Sequence, residues 1–139
     1  MKRFVLDTNV VVSAALSPKG NSARIIDLIA ESRDIEVFYC LGIILEYQEV
    51  LSRGYLKIAS DVQSRMINAI LNVGVFTMPA VSNAVIPDED DRIFYDTAIE
   101  NNAILITGNT KHYPNEPFIM TPTDFLVKFE QKETEDEDD

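Results

Sequence analysis

The chain has 139 residues and a formal net charge of −11, with 46% hydrophobic and 25% charged residues. This length and composition predict one soluble globular domain with a single core. Cys40 is the only cysteine, which excludes an intrachain disulfide, argues against a thiolate metal site and fits a reducing compartment.

The negative charge is unevenly distributed along the chain. Residues 130–139 contain seven acids and one lysine and contribute −6, which leaves −5 on residues 1–129. An acidic body argues against a protein that coats nucleic acid with a broad basic face, although acids that bind divalent cations are neutralised. We expect one folded domain over 1–129 and an acidic, disordered tail over 130–139.

The amino terminus resembles a secretory signal only superficially. Asp7, Thr8 and Asn9 interrupt its apolar run before that run reaches the length of a signal peptide. No uninterrupted apolar stretch of the sequence is long enough to span a bilayer. We therefore expect a cytoplasmic protein that does not contact a membrane.

The chain alternates short apolar runs with amphipathic stretches. Phe4-Val5-Leu6, followed by Asp7-Thr8-Asn9, is typical of a buried parallel strand that ends in polar groups. Asn21 or Ser22 can cap the second of two helices that follow. In chain order, the predicted elements are a strand over 4–6, helices over 10–16 and from 21 or 22, a strand over 36–39, helices over 41–53 and 61–73, a strand over 75–78, a loop over 81–90, a helix over 91–102, strands over 103–106 and 118–120, and a helix from 121 to about 129.

Strands that alternate with helices in this way predict an α/β fold, with a parallel sheet of four or five strands covered on both faces. In such a sheet, ligands bind beyond the carboxyl ends of the strands. Asp7 and Asn109 follow two predicted strand ends, Glu46 lies early in the helix after the second strand, and Asp91 opens the helix before the fourth. We expect these four side chains to meet at one edge of the sheet.

Carboxylate oxygens are the ligands that Mg²⁺ and Mn²⁺ prefer, and the sequence offers no competing His or Cys cluster. A cage of carboxylates can hold ions that polarise a phosphodiester and lower the pKa of a bound water. Taken singly, each acid also has an ordinary explanation. Asp7 could be a turn or cap residue, Glu46 a solvent-facing helix residue, and 88–91 a hydrated helix start.

Two motifs in the first half of the chain resemble those of a known family. Residues 4–10 join an apolar strand to Asp-Thr-Asn. Residues 40–46 place a small residue six positions before Glu46, although Cys40 stands where Ser or Thr is usual. In these features the chain resembles the PIN domain, and the resemblance extends over about residues 2–128.

Two further motifs in the second half support the same resemblance. Ala98 follows Asp91 by seven positions on one predicted helix. The strand before Thr107 ends in Thr-Gly-Asn, so Asn109 occupies the position of the family's fourth acid. The resemblance implies a three-layer α/β/α sandwich, and the subgroup that the chain resembles most is that of toxins from toxin–antitoxin pairs.

The resemblance implies an endoribonuclease that cleaves single-stranded RNA with Mg²⁺ or Mn²⁺ and a metal-activated water. It makes Asp7, Glu46 and Asp91 the metal ligands, and Asn109 an outer ligand or water holder whose neutral amide weakens a second metal site. It also implies a homodimer or tetramer and a separate antitoxin partner. The residues expected to contact substrate or orient the site are Thr8, Asn9, Thr107 and His112.

Two residues near these motifs have alternative roles. Asp96 lies five positions after Asp91, about 140° around a helix, so both cannot face one ion, and the Ala98 spacing favours Asp91. His112, the only histidine, could be a general acid, a phosphate contact or a plain loop residue.

Two other functions fit part of the same pattern. A haloacid-dehalogenase-like phosphatase would use Asp7 as its nucleophile, but Asn9 replaces the required acid/base Asp, and the pair Asp90-Asp91 precedes Thr107 instead of following Lys111. A catalytically inactive PIN-like binding module would fit both the Asn at position 109 and the acidic body.

Overall fold

A computed structural model describes the backbone of residues 2–137 and the side chains of residues 2–130, so Met1, Asp138 and Asp139 lie outside the described residues. The strands are β1 (Lys2–Leu6), β2 (Ile35–Tyr39), β3 (Val75–Phe76), β4 (Ile104–Ile106) and β5 (Ile119–Met120). The helices are α1 (Thr8–Leu16), α2 (Asn21–Glu31), α3 (Leu41–Leu51), α4 (Ser60–Val73), α5 (Arg92–Glu100) and α6 (Pro122–Glu137). Single 3₁₀ turns lie at Gly54–Leu56, Glu89–Asp91 and Thr110–His112.

The strands form one sheet in the order β3-β2-β1-β4-β5, and every neighbouring pair is parallel. Helix α5 packs against β1, β2 and β4, whereas α1, α2 and α4 pack against one another and α2 and α4 also contact β2. The predicted three-layer α/β/α sandwich with a parallel sheet is therefore confirmed. None of the described helices is long and apolar enough to cross a bilayer.

The polar edge of the sheet begins where the central strand β1 ends. Its residues Phe4, Val5 and Leu6 are fully buried, as expected for a strand covered on both faces. Leu6 lies beside Ile106 in the register with β4, and the backbone N–H of Asp7 donates to the carbonyl of Ile106 (2.9 Å). This register brings Asp7 and Thr107, the residues that follow the two strands, next to each other.

Helices α3 and α5 approach closely near their first turns. A Cβ added at Gly42 would overlap Cδ1 of Ile93, so a larger residue would push that side chain away. Glu46 lies one turn beyond Gly42, and Asp91 immediately precedes α5. The close approach therefore brings the second and third predicted acids toward the strand end that holds Asp7.

Two element boundaries differ from those predicted because tertiary contacts decide them. Strand β3 has two residues instead of four, since the chain leaves the sheet after Thr77 and Met78 is exposed. The predicted cap of α2 is wrong, because Gly20 is its N-cap and makes no side-chain cap bond. The amide of Asn21 instead donates to the hydroxyl of Thr123 (2.8 Å).

The last helix is longer than the sequence predicts. Its backbone continues to Glu137, so the predicted end near Phe129 is wrong. The disordered tail expected over 130–139 stays a prediction, and its last two residues lie outside the described part of the chain.

Candidate functional site

Asp7 is a buried carboxylate with four hydrogen-bond donors. It is the N-cap of α1, and its Oδ1 accepts from the backbone N–H of Thr8 (2.7 Å). Its Oδ2 accepts from Asn9 Nδ2 (3.3 Å), the Thr107 hydroxyl (2.9 Å) and the Tyr113 hydroxyl (2.8 Å). These donors fix the carboxylate in one orientation and leave Oδ1 with room for a further ligand.

The segment after β4 is bonded to the start of α1 around this carboxylate. The fully buried Thr107 hydroxyl accepts from the backbone N–H of Asn109 (3.0 Å) as well as donating to Asp7. Asn9 accepts from the backbone N–H of Gly108 (2.8 Å), and a Cβ at position 108 would stand only 3.2 Å from Asn9 Oδ1. Thr107 and Asn9 thus hold Asp7 in place, and of these two side chains only that of Asn9 reaches the surface.

Glu46 projects from α3 toward the same strand end. The buried hydroxyl of Thr8 donates to its Oε2 (3.0 Å), so the first helix positions the second acid. Burial raises the pKa of Glu46, the Thr8 hydrogen bond opposes this shift, and the nearby carboxylates of Asp7 and Asp91 raise the pKa further. The electrostatic coupling indicates that the three predicted acids lie close enough to repel one another.

Asp91 is the N-cap of α5 and the least satisfied of the three acids. Its Oδ2 is buried and accepts no hydrogen bond among the described residues. The ring nitrogen Nδ1 of His112 lies 3.6 Å from this oxygen, which is too long for a hydrogen bond. Burial, followed by the charges of Asp7 and Asp88, raises the pKa of Asp91 to about 6, and His112 partly opposes the shift.

Asn109, the residue in place of the fourth acid, contacts His112 instead of the other acids. Its Nδ2 lies 2.9 Å from Nε2 of His112, and both side chains are exposed. His112 lines the cleft beside Asp91, whereas Asn109 does not. The sequence predicts Asn109 as an outer ligand or water holder; in the structure its side chain contacts His112 and does not line the cleft.

Tyr113 is the site residue that sequence reasoning missed. It is 5% exposed, and its hydroxyl donates to the carboxylate of Asp7, which lies 106 positions earlier in the sequence. Burial and the negative charge of Asp7 raise the pKa of this tyrosine far above its usual value, so it remains a donor. A second buried tyrosine, Tyr47, donates to the carbonyl of Leu6 just before Asp7. No local pattern distinguishes either tyrosine from an ordinary core residue.

Asp96 does not join the three acids. It is buried on α5, where its Oδ2 accepts from the backbone N–H of Ser82 (3.1 Å) and its Oδ1 has no partner among the described residues. Arg92 bonds the carbonyls of Ser82 (2.9 Å) and Ala84 (2.6 Å), so both residues hold the loop before α5. The preference for Asp91 over Asp96 agrees with this placement.

The acids line a cleft of about 600 Å³ that runs between α1 and α3. Six of the sequence-predicted residues line it, and they are Asp7, Thr8, Asn9, Glu46, Asp91 and His112. Thr107 and Asn109 stand behind them and bond to members of this group. The cleft continues to the far ends of both helices, where it is lined by residues that include Leu16, Arg53 and Tyr55.

The residues fit a hard divalent ion in chemistry, although the ligands are not pre-assembled. Within residues 2–130, no three His, Cys, Asp or Glu side chains stand ready to hold one metal ion. The donors at the cleft are nonetheless carboxylate oxygens, the type that Mg²⁺ and Mn²⁺ prefer. The buried Oδ2 of Asp91, which accepts no hydrogen bond among the described residues, and the raised pKa values of Asp91 and Glu46 indicate a site suited to a cation.

Comparison with protein families identifies the family of this chain. The sequence profile of the PIN domain matches residues 3–111, which include the three acids and their hydrogen-bond donors Thr8, Asn9 and Thr107. The chain belongs to the PIN domain family. PIN domains are generally nucleases that use divalent metal ions. Tyr113 lies just outside the matched segment.

One relative and two solved structures are similar to this PIN domain. Uncharacterized protein MJ1680 of Methanocaldococcus jannaschii is 32% identical over 117 residues, which cover 77% of this chain and 70% of that protein. The crystal structure of PAE2754 from Pyrobaculum aerophilum is similar with a TM-score of 0.58 and 15% identity, covering 91% of this chain and 88% of that one. The crystal structure of VapBC2 from Rickettsia felis, bound to a DNA fragment from its promoter, is similar with a TM-score of 0.53 and 16% identity. The match covers 86% of this chain and 96% of that one. At these identities the two structures show a shared fold.

Proposed function

We propose that this PIN domain is a metal-dependent endoribonuclease that hydrolyses phosphodiester bonds of single-stranded RNA. The observation that carries the proposal is the convergence of Asp7, Glu46 and Asp91, from three separate parts of the chain, on one cleft at the carboxyl ends of the strands. Ligands of open parallel sheets bind at this edge. The family, which consists generally of nucleases, supports the same reaction class.

Asp7, Glu46 and Asp91 would hold Mg²⁺ or Mn²⁺, which supplies an activated water and neutralises charge on the scissile phosphate. The protein's own contribution is to orient these ligands. Asn9, Thr107 and Tyr113 keep Asp7 fixed, and Thr8 does the same for Glu46. No protein side chain needs to act as the nucleophile.

The groups around the metal ligands would bind the substrate. His112, which contacts Asn109 and lies near Asp91, would contact a phosphate or protonate a leaving oxygen. Thr8, Asn9 and Thr107 act mainly through the acids that they contact. Single-stranded RNA is the substrate that the resemblance to the PIN domain family implies.

The biological setting follows from the resemblance to the toxin subgroup and from the fold shared with VapBC2. We propose that the chain is the toxin of a toxin–antitoxin pair, works in the cytoplasm, and forms a homodimer or tetramer. The partner would be a separate antitoxin protein. Co-expression of the chain with its neighbouring open reading frame, followed by co-purification, tests this part independently of catalysis.

An inactive binding module is the second candidate, and a specific observation favours it. The described acids are not pre-assembled around an ion, and Asn109 supplies no fourth charge. The two functions differ in metal binding, because an inactive module has no reason to bind Mn²⁺ at this cleft. The phosphatase alternative is dropped, since the chain belongs to the PIN family and Lys111 does not line the cleft.

The direct test is cleavage of an unstructured RNA with Mg²⁺ or Mn²⁺, compared with the same reaction in EDTA. We expect cleavage with the metal, loss with EDTA and recovery with excess Mn²⁺. The variant Asp7→Asn should lose at least 100-fold in rate, whereas Asp27→Asn, which removes an exposed acid on α2 outside the cleft, should not. Cleavage by Asp7→Asn at the normal rate would refute the proposed site.

A further inference from the structure

The cleft extends well beyond the metal-binding acids. Glu46, Val50 and Arg53 follow one another at spacings of four and three residues along α3 and just past its end, so they line one wall. Leu16, at the end of α1, lies on the opposite wall. Seven residues of helix correspond to about 10 Å, so Arg53 lies about that distance along the helix axis from Glu46.

The far end of the cleft has a different chemistry from the acidic end. Arg53 is the only Lys or Arg among the described residues that line the cleft. Its Nε and Nη2 donate to the carboxylate of Glu49 (3.3 and 2.8 Å), and Tyr55 is a further side-chain partner of the guanidinium. These two partners orient the guanidinium beside the tyrosine. A positive charge here attracts a phosphate without the help of a metal ion.

Tyr55 presents an exposed aromatic ring at the same end. Its side chain belongs to the 3₁₀ turn at Gly54–Leu56 and is 73% exposed, unlike the tyrosines of the core. Backbone hydrogen bonds from Leu56 to Arg53 (3.1 Å) and from Lys57 to Gly54 (3.2 Å) fix this turn. An aromatic ring fixed beside a cleft in this way can stack on an unpaired base.

We infer that Arg53 and Tyr55 form a nucleotide subsite, in which an unpaired base stacks on Tyr55 and an adjacent phosphate pairs with Arg53. This inference rests on the proposed ribonuclease function and adds how its substrate is held. Stacking requires a base with a free face, so the subsite selects single-stranded RNA over a duplex. The cleft volume of about 600 Å³ is within the range that accommodates a small ligand such as a nucleotide.

The test measures binding of a fluorescein-labelled single-stranded decaribonucleotide by anisotropy, with Ca²⁺ as the ion and the RNA checked for integrity afterwards. Tyr55→Ala should weaken binding roughly five- to hundredfold, the range for loss of one stacked base, whereas Tyr55→Phe keeps the ring and should stay within about twofold. An RNA with an abasic nucleotide at the stacked position should bind the wild type more weakly than the intact RNA does. Tyr55→Ala should bind the two RNAs equally well, because it lacks the ring on which the base stacks.

Arg53 is tested through salt dependence. Arg53→Ala should reduce the slope of log K against log salt by about 0.7, the value for one phosphate contact on a single strand. Arg65→Ala is the matched control, because Arg65 forms a similar exposed pair with Asp61 on α4 and does not line the cleft. Its slope should equal that of the wild type.

The outcomes separate the subsite from the function. If Tyr55→Ala and Arg53→Ala bind the RNA as tightly as the wild type does, and the wild type cleaves RNA with a metal ion, the subsite is overturned and the ribonuclease proposal stands. Failure of the wild type to bind or cleave single-stranded RNA with any divalent ion would overturn both.

Discussion

Four hydrogen-bond donors from three segments of the chain converge on Asp7, and this is the most constrained part of the site. A buried carboxylate needs such donors, because an ionised group without partners is costly to bury. The donors also decide which oxygen stays available. Three of them bind Oδ2, so Oδ1 is the atom that remains open to an ion.

The first prediction concerns the hydroxyl of Tyr113. Tyr113→Phe removes one donor from Asp7 while keeping the buried ring, so it should weaken Mn²⁺ binding by roughly tenfold, as loss of an orienting contact does at metal sites. It should also cost about 1 kcal/mol of stability. Calorimetric Mn²⁺ titration and thermal unfolding measure the two effects.

Tyr95→Phe is the control for this substitution. The Tyr95 hydroxyl also donates to a carboxylate, that of Glu116 (3.2 Å), and its ring is also buried, but it does not line the cleft. It should lower stability without changing Mn²⁺ affinity. Equal Mn²⁺ affinity for Tyr113→Phe and the wild type would contradict the orienting role.

Residue types and short motifs were enough to find the acids, but not the groups around them. Asp7 and Asp91 could be predicted because each follows or opens a regular element with a recognisable pattern. Tyr113 could not, since its hydrogen bond depends on how the loop after β4 folds back over the end of β1. The contact between Asn109 and His112 was missed because the amide was expected to face an ion.

At the scale of elements, α5 separates two acids that look alike in the sequence. Asp91 caps the helix and lines the cleft, whereas Asp96 lies within the helix and bonds the loop before it. Five helical positions turn the second acid about 140° away from the first. One acid of α5 therefore belongs to the candidate site, and a second acid of the same helix stabilises the loop before it.

This separation gives the second prediction. Asp91→Asn should weaken Mn²⁺ binding at least tenfold, because it removes a charged ligand. Asp96→Asn should leave Mn²⁺ binding unchanged and cost about 1 kcal/mol in unfolding free energy, because the Ser82 N–H loses a charged acceptor. The opposite pattern in a Mn²⁺ titration would show that Asp96 is the ligand.

Most elements could be predicted from hydrophobic periodicity, because the sheet is buried and its helices are amphipathic. Strands β1 and β4 lie where apolar runs end in polar residues, and β2 covers the short run predicted over 36–39. The end of β3 and the cap of α2 could not be predicted, since they depend on a neighbouring strand and on Thr123 at the start of α6. These are contacts between parts of the chain that are distant in sequence.

At the scale of the whole molecule, stability and metal binding should depend on pH through the same carboxyls. The pKa of Asp91 is raised to about 6 and that of Glu46 is also raised, so the folded chain binds these protons more tightly than the unfolded chain. Their contribution to the stability of the metal-free protein is therefore present at low pH and lost as the pH rises through about 6.

The third prediction isolates this effect with Asp91→Asn. In EDTA, the melting temperature of the wild type should fall relative to that of the variant as the pH rises from 4 to 7. Each kcal/mol of unfolding free energy that the wild type loses should lower its melting temperature by a few degrees. Saturating Mn²⁺ should reverse the difference at pH 7, because only the wild type gains from the ion. A difference that stays constant across this range would show that Asp91 titrates as an ordinary surface acid.

If Asp7, Glu46 and Asp91 share a divalent ion, a Mn²⁺ titration followed by electron paramagnetic resonance will detect that ion. We expect saturable binding to the wild type and to Asp27→Asn, and at least tenfold weaker binding to Asp7→Asn and Asp91→Asn. No saturable binding to the wild type, or equal binding to all four proteins, would contradict it.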